Sequence, residues 1–332
     1  MKKTVSFSRD AANVFLHITT RCNLNCSHCY INTLQHGNET LSLDVAERWL
    51  KLFRRRVGNA NLVLLGGEPT LHPQLADIVK TAGKLAYKSV TIDTNGYLFH
   101  DILTKIKPAD LDYFSFSLDG ATAATNDEIR GSGTFEACTK GIRKARTAGF
   151  DVSVIFTVSR ANIHELQLMG PLLQALQVKR FFIQVIGIRG RSVTHRSDEL
   201  QVGKKEWTKT VPAAAEGIAR LGLAVTFPKV FLTAGDTFEC AGRVAENYFI
   251  FPNGRVYRCP LCEDYPIHSL EIAEDRLIEK APINEKDLFQ LNILEGCVMN
   301  KLIQPDNLCY CSDGKPEYGI ACCLLKEEIS HD

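Results

Sequence analysis

The chain has 332 residues, 45% hydrophobic and 23% charged, enough for one large domain with a substantial core and a smaller second one. A formal net charge of +1 gives no global electrostatic case for nucleic acid or a membrane surface, and the longest apolar runs, such as Phe181 to Ile188, are too short to span a bilayer. Twelve cysteines with no secretion signal in the polar start, Met1 to Asp10, point to a reducing, cytoplasmic setting where thiols serve metals rather than disulfides.

In chain order, an apolar run from Val14 to Thr19 leads into Arg21 to Tyr30, where Cys22, Cys26 and Cys29 fall within eight residues. Three thiols on a loop leaving a strand can converge on one metal centre. A closed zinc site or a fully ligated iron–sulfur cube takes four protein ligands, so three leave one position open for something that is not protein. The alternative is a zinc knuckle completed by His17, His28 or His36, although no second short-spaced doublet follows.

A helix is expected over Leu43 to Val57, with Val45, Trp49, Leu50 and Phe53 at helical spacing. Asn61 to Leu65 is a short apolar run ending at Gly66-Gly67-Glu68-Pro69, where paired glycines allow bare backbone to approach a neighbour closely. Further strands are expected at Ser89 to Asp93, Tyr113 to Leu118, Val152 to Val158 and Phe181 to Ile186. Helical stretches near 74–86, 99–106, 135–148 and 163–176 separate them. Six strands alternating with helices argue for a parallel sheet with helices outside, closed as a doubly wound sheet or as a barrel-like arc. Cys138, alone on the 135–148 stretch, reads as core.

Strand ends in such folds carry ligand contacts. Here they offer Asn95, Ser115 and Ser117 on one strand face, Thr157, and Arg189 or Arg191. A polar linker is expected over 192–202, then a helix over 206–221 and a short strand over 223–228. The last ninety residues hold Cys240, Cys259, Cys262, Cys297, Cys309, Cys311, Cys322 and Cys323. Between Cys240 and Cys259 lie two apolar runs around Pro252-Asn253-Gly254, a hairpin that sets a cysteine at each outer end.

The Cys22-x3-Cys26-x-His28-Cys29 spacing, followed by Tyr30, resembles the cluster loop of the radical S-adenosylmethionine (SAM) superfamily. The resemblance implies a partial (β/α)6 barrel. It also implies a [4Fe–4S] cluster on Cys22, Cys26 and Cys29, with SAM chelating the open iron and cleaved reductively to a 5′-deoxyadenosyl radical. Gly66, Gly67, Glu68 and Pro69 match the loop that in this family holds the SAM amino group. Arg130-Gly-Ser-Gly-Thr-Phe135 matches the stretch whose arginine, with polar fourth-strand residues, contacts the SAM carboxylate and ribose.

Gly254-x4-Cys259 resembles the start of the auxiliary-cluster domains called SPASM and twitch. The later Cys309-x-Cys311 and Cys322-Cys323 depart from the SPASM pattern. One auxiliary [4Fe–4S] cluster is therefore expected on Cys240 and Cys259, completed from Cys309, Cys311, Cys322 or Cys323. Eight cysteines leave a second cluster open, and a structural zinc ribbon is the alternative.

The domain reading is an N-terminal extension over 1–13, the barrel over 14–191, a linker with a helix over 192–234, the auxiliary domain over 235–326 and a tail over 327–332. The implied activity is hydrogen-atom abstraction that modifies a peptide or protein, with a small-molecule oxidoreductase or cyclase as the alternative. A non-catalytic iron–sulfur or zinc protein is a third reading. A flavodoxin or ferredoxin is the implied electron donor.

Overall fold

The computed structural model describes residues 2–5, 11–194, 200–233, 235–281 and 283–330. After β1 (Lys2–Val5), the strands β2 (Ala12–Thr19), β3 (Ala60–Gly66), β4 (Ser89–Thr94), β5 (Tyr113–Ser117), β6 (Val152–Val158), β7 (Arg180–Val185) and β8 (Ala224–Pro228) run parallel, each beside the next. The six expected strands are all present. The 223–228 segment, expected as a separate short strand, extends the same sheet as a seventh parallel member.

The alternation along each strand explains the layering. Val14, Leu16, Ile18, Leu62, Leu64, Ile92, Phe114, Phe116, Val154 and Phe156 point to one side and are at most 1% exposed. Helices cover that side, with Trp49, Leu50 and Phe53 from 43–57 and Ile142 and Ala145 from 134–147 in the same core. Each such side chain contributes about 1.5–3 kcal/mol by leaving water. This is an open α/β sheet of the partial-barrel kind, with parallel strands and helices on the outside.

The sheet does not end with the parallel strands. β9 (Asn247–Ile250) pairs parallel with β2, and β10 (Arg255–Tyr257), β11 (Leu270–Ala273) and β12 (Arg276–Glu279) follow antiparallel. The Pro252–Gly254 turn closes the expected hairpin, with Gly254 at φ +83°. At the other edge, β13 (Lys326–Ile329) pairs antiparallel with β8 and with β1. Residues 2–5 and 326–329 are therefore sheet strands, where an extension and, from 327, a tail were expected. Of the expected linker, 195–199 lie outside the described residues.

On the inner face, opposite the helices, a row of amides ties the C-terminal hairpin to the barrel. Asn13 Nδ2 donates to Asn247 Oδ1 at 2.9 Å, Asn61 Nδ2 to Asn13 Oδ1 at 3.0 Å, and Ser89 Oγ to Asn61 Oδ1 at 2.9 Å. The row crosses β9, β2, β3 and β4 in order. Asn61→Ala removes the central link and leaves Asn13 and Ser89 each short of a partner. It is expected to lower the unfolding free energy by about 1–2 kcal/mol in urea titration. An unchanged midpoint would show that the row carries no stability.

Candidate functional site

The cysteine loop leaves β2 and is held by backbone contacts from three directions. Gly67 N donates to Thr19 O and Glu68 N to Arg21 O, both at 2.9 Å. A Cβ on Gly66 would lie 2.0 Å from Thr19 O, and one on Gly67 2.2 Å from Arg21 O, so only glycines let these loops touch. From the other side Ser27 N donates to Ile129 O at 2.9 Å. From the loop after β7, Arg191 N donates to Cys29 O at 2.8 Å and Arg191 Nη1 to Cys26 O at 3.1 Å. On this loop Cys22 is exposed, while Cys26 and Cys29 are half-buried.

Glu68 is fully buried behind the glycines. Its Oε1 accepts from Thr70 N (3.0 Å), Thr70 Oγ1 (2.6 Å) and Thr94 Oγ1 (2.9 Å), and its Oε2 from Asn95 N (2.7 Å). Burial pushes its carboxyl up, against the pull of these bonds. The carboxylate therefore braces the ends of β3 and β4. Asn95, held this way, donates through Nδ2 to Asn23 Oδ1 at 2.8 Å, beside Cys22. Pro69 opens the short 3-10 turn after Glu68.

Arg130 lies where the sequence places it, beside the loop, but its Nε is engaged with the buried Asp119 Oδ2 at 2.6 Å. The same oxygen faces His28 Nε2 at 3.2 Å, and Asp119 Oδ1 accepts from Thr157 N at 2.7 Å. Burial raises the Asp119 carboxyl, yet Arg130, His28 and the Thr157 amide outweigh it and hold the group at about 2. Thr157 thus serves through its backbone. Of the β5 serines, Ser115 is buried and hydrogen-bonds Asp93, whereas Ser117 is half-buried and gives its carbonyl to Cys138 Sγ at 3.5 Å. Cys138 is core, as expected. Asp119 and its His28 partner were not expected, since no spacing links residues 28, 119, 130 and 157.

The zinc-knuckle histidines go elsewhere. His17 Nδ1 donates to Ile250 O and its Nε2 accepts from Tyr30 Oη, both at 2.9 Å, and His17 and His36 each stack on Phe251. Burial lowers His17 to about 3, so it is a neutral structural imidazole.

Seven of the eight late cysteines separate into two places, and Cys262 is buried in the apolar cluster that Cys259 and Cys297 share. Cys240, Cys259, Cys297, Cys322 and Cys323 line one narrow pocket. Cys240 and Cys297 each sit at a helix start, before Ala241–Val244 and Val298–Ile303. Cys259 follows β10 and is pinned by Glu285, which accepts from Arg258 N at 2.6 Å and Cys259 N at 3.0 Å. Burial raises the Cys297 thiol, and Cys322, Cys259 and Cys240 raise it further, so these thiols feel one another.

Cys309 and Cys311 are exposed on a separate small hairpin around the Tyr310–Pro316 bridge, with Cys309 Sγ accepting from Tyr318 Oη at 3.5 Å. Of the cysteines expected to complete the centre of Cys240 and Cys259, Cys322 and Cys323 line this pocket and Cys309 and Cys311 do not, while Cys297, which was not expected, lies with them. Its thirty-five-residue distance from Cys262 gave no doublet to read. Among the described residues, no three His, Cys, Asp or Glu side chains close around a single ion position. A four-iron cluster is wider than one ion and takes its ligands further apart.

Residues 16–169 match the Radical SAM superfamily. Among curated proteins, the chain is 29% identical over 208 residues to the Fe-coproporphyrin III synthase of Methanosarcina barkeri, covering 60% of this chain and 51% of that one. It is 32% identical over 160 residues to a probable GTP 3′,8-cyclase of Saccharolobus solfataricus, covering 48% and 52%. The chain thus spans about half the length of the curated relatives it matches. Among solved structures, that of Streptococcus suis SuiB bound to precursor peptide SuiA superposes with TM-score 0.60 at 14% identity, over 76% of this chain and 60% of that one. That likeness shows a shared fold. No helix among the described residues is long and apolar enough to cross a membrane.

Asp119→Asn leaves the Arg130 guanidinium buried without its counter-charge, which is expected to cost about 3–5 kcal/mol. The pH dependence has a definite sign. A carboxyl near 3.9 when unfolded and about 2 when folded stabilises the fold above pH ~4, and that stability is lost as pH falls toward 2. Urea unfolding across this window should show the loss in the wild type and lack Asp119's share in the variant. A cost below about 1 kcal/mol would mean that the pair is already broken in solution.

Proposed function

We propose that this chain, an enzyme whose residues 16–169 are a radical SAM domain, starts its chemistry at Cys22, Cys26 and Cys29 and completes it with help from a second centre at Cys240, Cys259, Cys297 and Cys322. The observation that carries the reading is the first loop: three thiols within eight residues, on a backbone fixed from both sides. That donor set fits a [4Fe–4S] cluster with one open iron. Cys22, Cys26 and Cys29 would hold that cluster, which with SAM bound would supply one-electron cleavage of SAM to a 5′-deoxyadenosyl radical.

The residues around it do the protein's part. Gly66 and Gly67 let the β3 end approach the loop, and Glu68 holds Asn95 beside Cys22. In this reading Gly66, Gly67, Glu68, Pro69 and Asn95 form the SAM cradle. Arg130 keeps its charge beside Cys26 because Asp119 neutralises it from behind, and Ser115, Ser117 and Thr157 shape the wall next to it. The fit of the second centre rests on its donors. Four buried or half-buried thiols gathered at one pocket, close enough to raise one another, supply four sulfur donors that a cationic centre would bind as thiolates.

For the substrate, the curated relatives weigh toward a small molecule over the peptide or protein expected from the cysteine-rich C-terminus. Those relatives are alike in sequence, whereas the peptide-bound structure is alike in fold alone. A reduced flavodoxin or ferredoxin is the proposed electron donor.

Anaerobically reconstituted, dithionite-reduced protein should convert SAM to 5′-deoxyadenosine, and the Cys22→Ala, Cys26→Ala, Cys29→Ala variant should not. A metabolite fraction from cell extract should stimulate that conversion more than a peptide fraction. No 5′-deoxyadenosine from the wild type would end the reading, and stimulation by peptide alone would reverse the substrate class. The second centre is tested separately by iron analysis. Cys297→Ala should lower the iron retained to the extent that Cys240→Ala does, while Cys309→Ala with Cys311→Ala should keep it. The opposite pattern would return the ligand role to Cys309 and Cys311.

A further inference from the structure

Asp93 is an acidic side chain on the inner face of the sheet that neither cysteine centre uses. Its β4 neighbours Val90 and Ile92 point to the helices. Asp93 pairs in register with Ser115 of β5, and one step beyond the helix-facing pair Leu64 and Ile92, Leu65 of β3, itself paired with His17 of β2, lies beside it, so one row crosses β2, β3, β4 and β5. The row lies directly beneath Glu68 and Asn95.

Asp93 is half-buried there and receives a hydrogen bond from Ser115. One hydroxyl fills one of about four acceptor positions on a carboxylate. The titratable groups that face it are the Glu68 carboxyl, from the loop after β3, and the Tyr30 phenol, from the cysteine loop. Neither can be a counter-cation. Among the described residues no lysine, arginine or histidine pairs with Asp93, although Asp119 and Glu263 at the edges of the same site each have an arginine. Burial accordingly pushes the carboxyl up to about 7.

We propose that Asp93 anchors a substrate subsite on the inner face and that the group it takes is a protonated amine or an amidinium. The assignment rests on the proposed SAM cradle only in that the row lies beneath it. A cation seated on Asp93 supplies the charge balance that Asp119 and Glu263 obtain from their arginines. Serine at position 115 adds a hydroxyl that can turn to accept from the same nitrogen. With burial holding the carboxyl near 7 in the free protein, pairing with a cation is expected to release a proton below that pH. That release fades above pH 7, where the carboxylate is already ionised.

Calorimetry and saturation-transfer NMR on the reconstituted full chain with SAM, using benzylamine, benzamidine and the neutral benzyl alcohol, test this directly. A cationic probe is expected to bind the wild type with proton release at pH 6, read from buffers of different ionisation enthalpy. Asp93→Asn should weaken it about tenfold, and benzyl alcohol should bind both proteins equally weakly. SAM affinity should be the same in both. Asp93→Ser gives the same comparison should the asparagine variant fold poorly. Equal cation binding by wild type and variant, or a matching loss of SAM affinity, would each overturn the subsite. A protein that binds the cation but never cleaves SAM would overturn the radical reading and leave the subsite standing.

Discussion

The buried carboxylate of Asp119 is the constraint on which the first centre depends. It sits at the end of β5 and joins four parts of the chain: Arg130 from the helix after it, His28 from the cysteine loop, Thr157 of β6 and, through its backbone carbonyl, Asn162 Nδ2 at 3.0 Å. A carboxylate in this position would be intolerable alone, and each partner removes part of that cost. The consequence is geometric. The helix ending at Arg130 is drawn to the strand ends, and its terminal carbonyls meet the cysteine loop at Ser27 and Cys26. The thiols are then aimed by the fold rather than by their own short loop.

A second group of contacts ties that loop to the C-terminal cysteines. Arg189, in the loop after β7, donates to Pro260 O and pairs with Glu263 at 3.1 Å while its guanidinium covers the Tyr30 ring at 4.7 Å. Pro260 directly follows Cys259, and Tyr30 directly follows Cys29. Gly190 lies against the backbone of both Cys29 and Tyr30, where a Cβ would come within 2.6 Å of either carbonyl oxygen. With β9 extending the barrel sheet beside β2, the two cysteine groups belong to one framework. The arrangement suits chemistry in which one centre begins a reaction and the other stands close to its later steps.

Much of this was legible in the sequence because it is local. Strand alternation gave the six parallel strands, glycine pairs and turns marked where loops approach, and three closely spaced cysteines marked the candidate first centre. The parts that were not legible depend on distance. Cys297 follows Cys262 only after β11, β12 and the 285–289 helix, so no doublet marked it, and Cys309, Cys311, Cys322 or Cys323 were expected instead. Arg130 was expected to face the SAM carboxylate, and its bond to Asp119 was invisible because Asp119 reads as an ordinary strand-end residue. Lys2–Val5 and Lys326–Ile329 looked like chain ends, yet each completes the other's hydrogen bonding at the sheet edge. In each case the missing information was which remote segment supplies the partner.

The central claim is that Cys22, Cys26 and Cys29 hold a cluster with an open iron that binds SAM, distinct from the centre near Cys297. Electron paramagnetic resonance of the dithionite-reduced, reconstituted protein with and without SAM addresses it most directly. Two signals are expected. SAM should change one of them, and that one should be missing from the triple cysteine variant, while the other should persist in the variant without responding to SAM. A spectrum indifferent to SAM, or a SAM-responsive signal that survives loss of all three N-terminal thiols, would contradict the account.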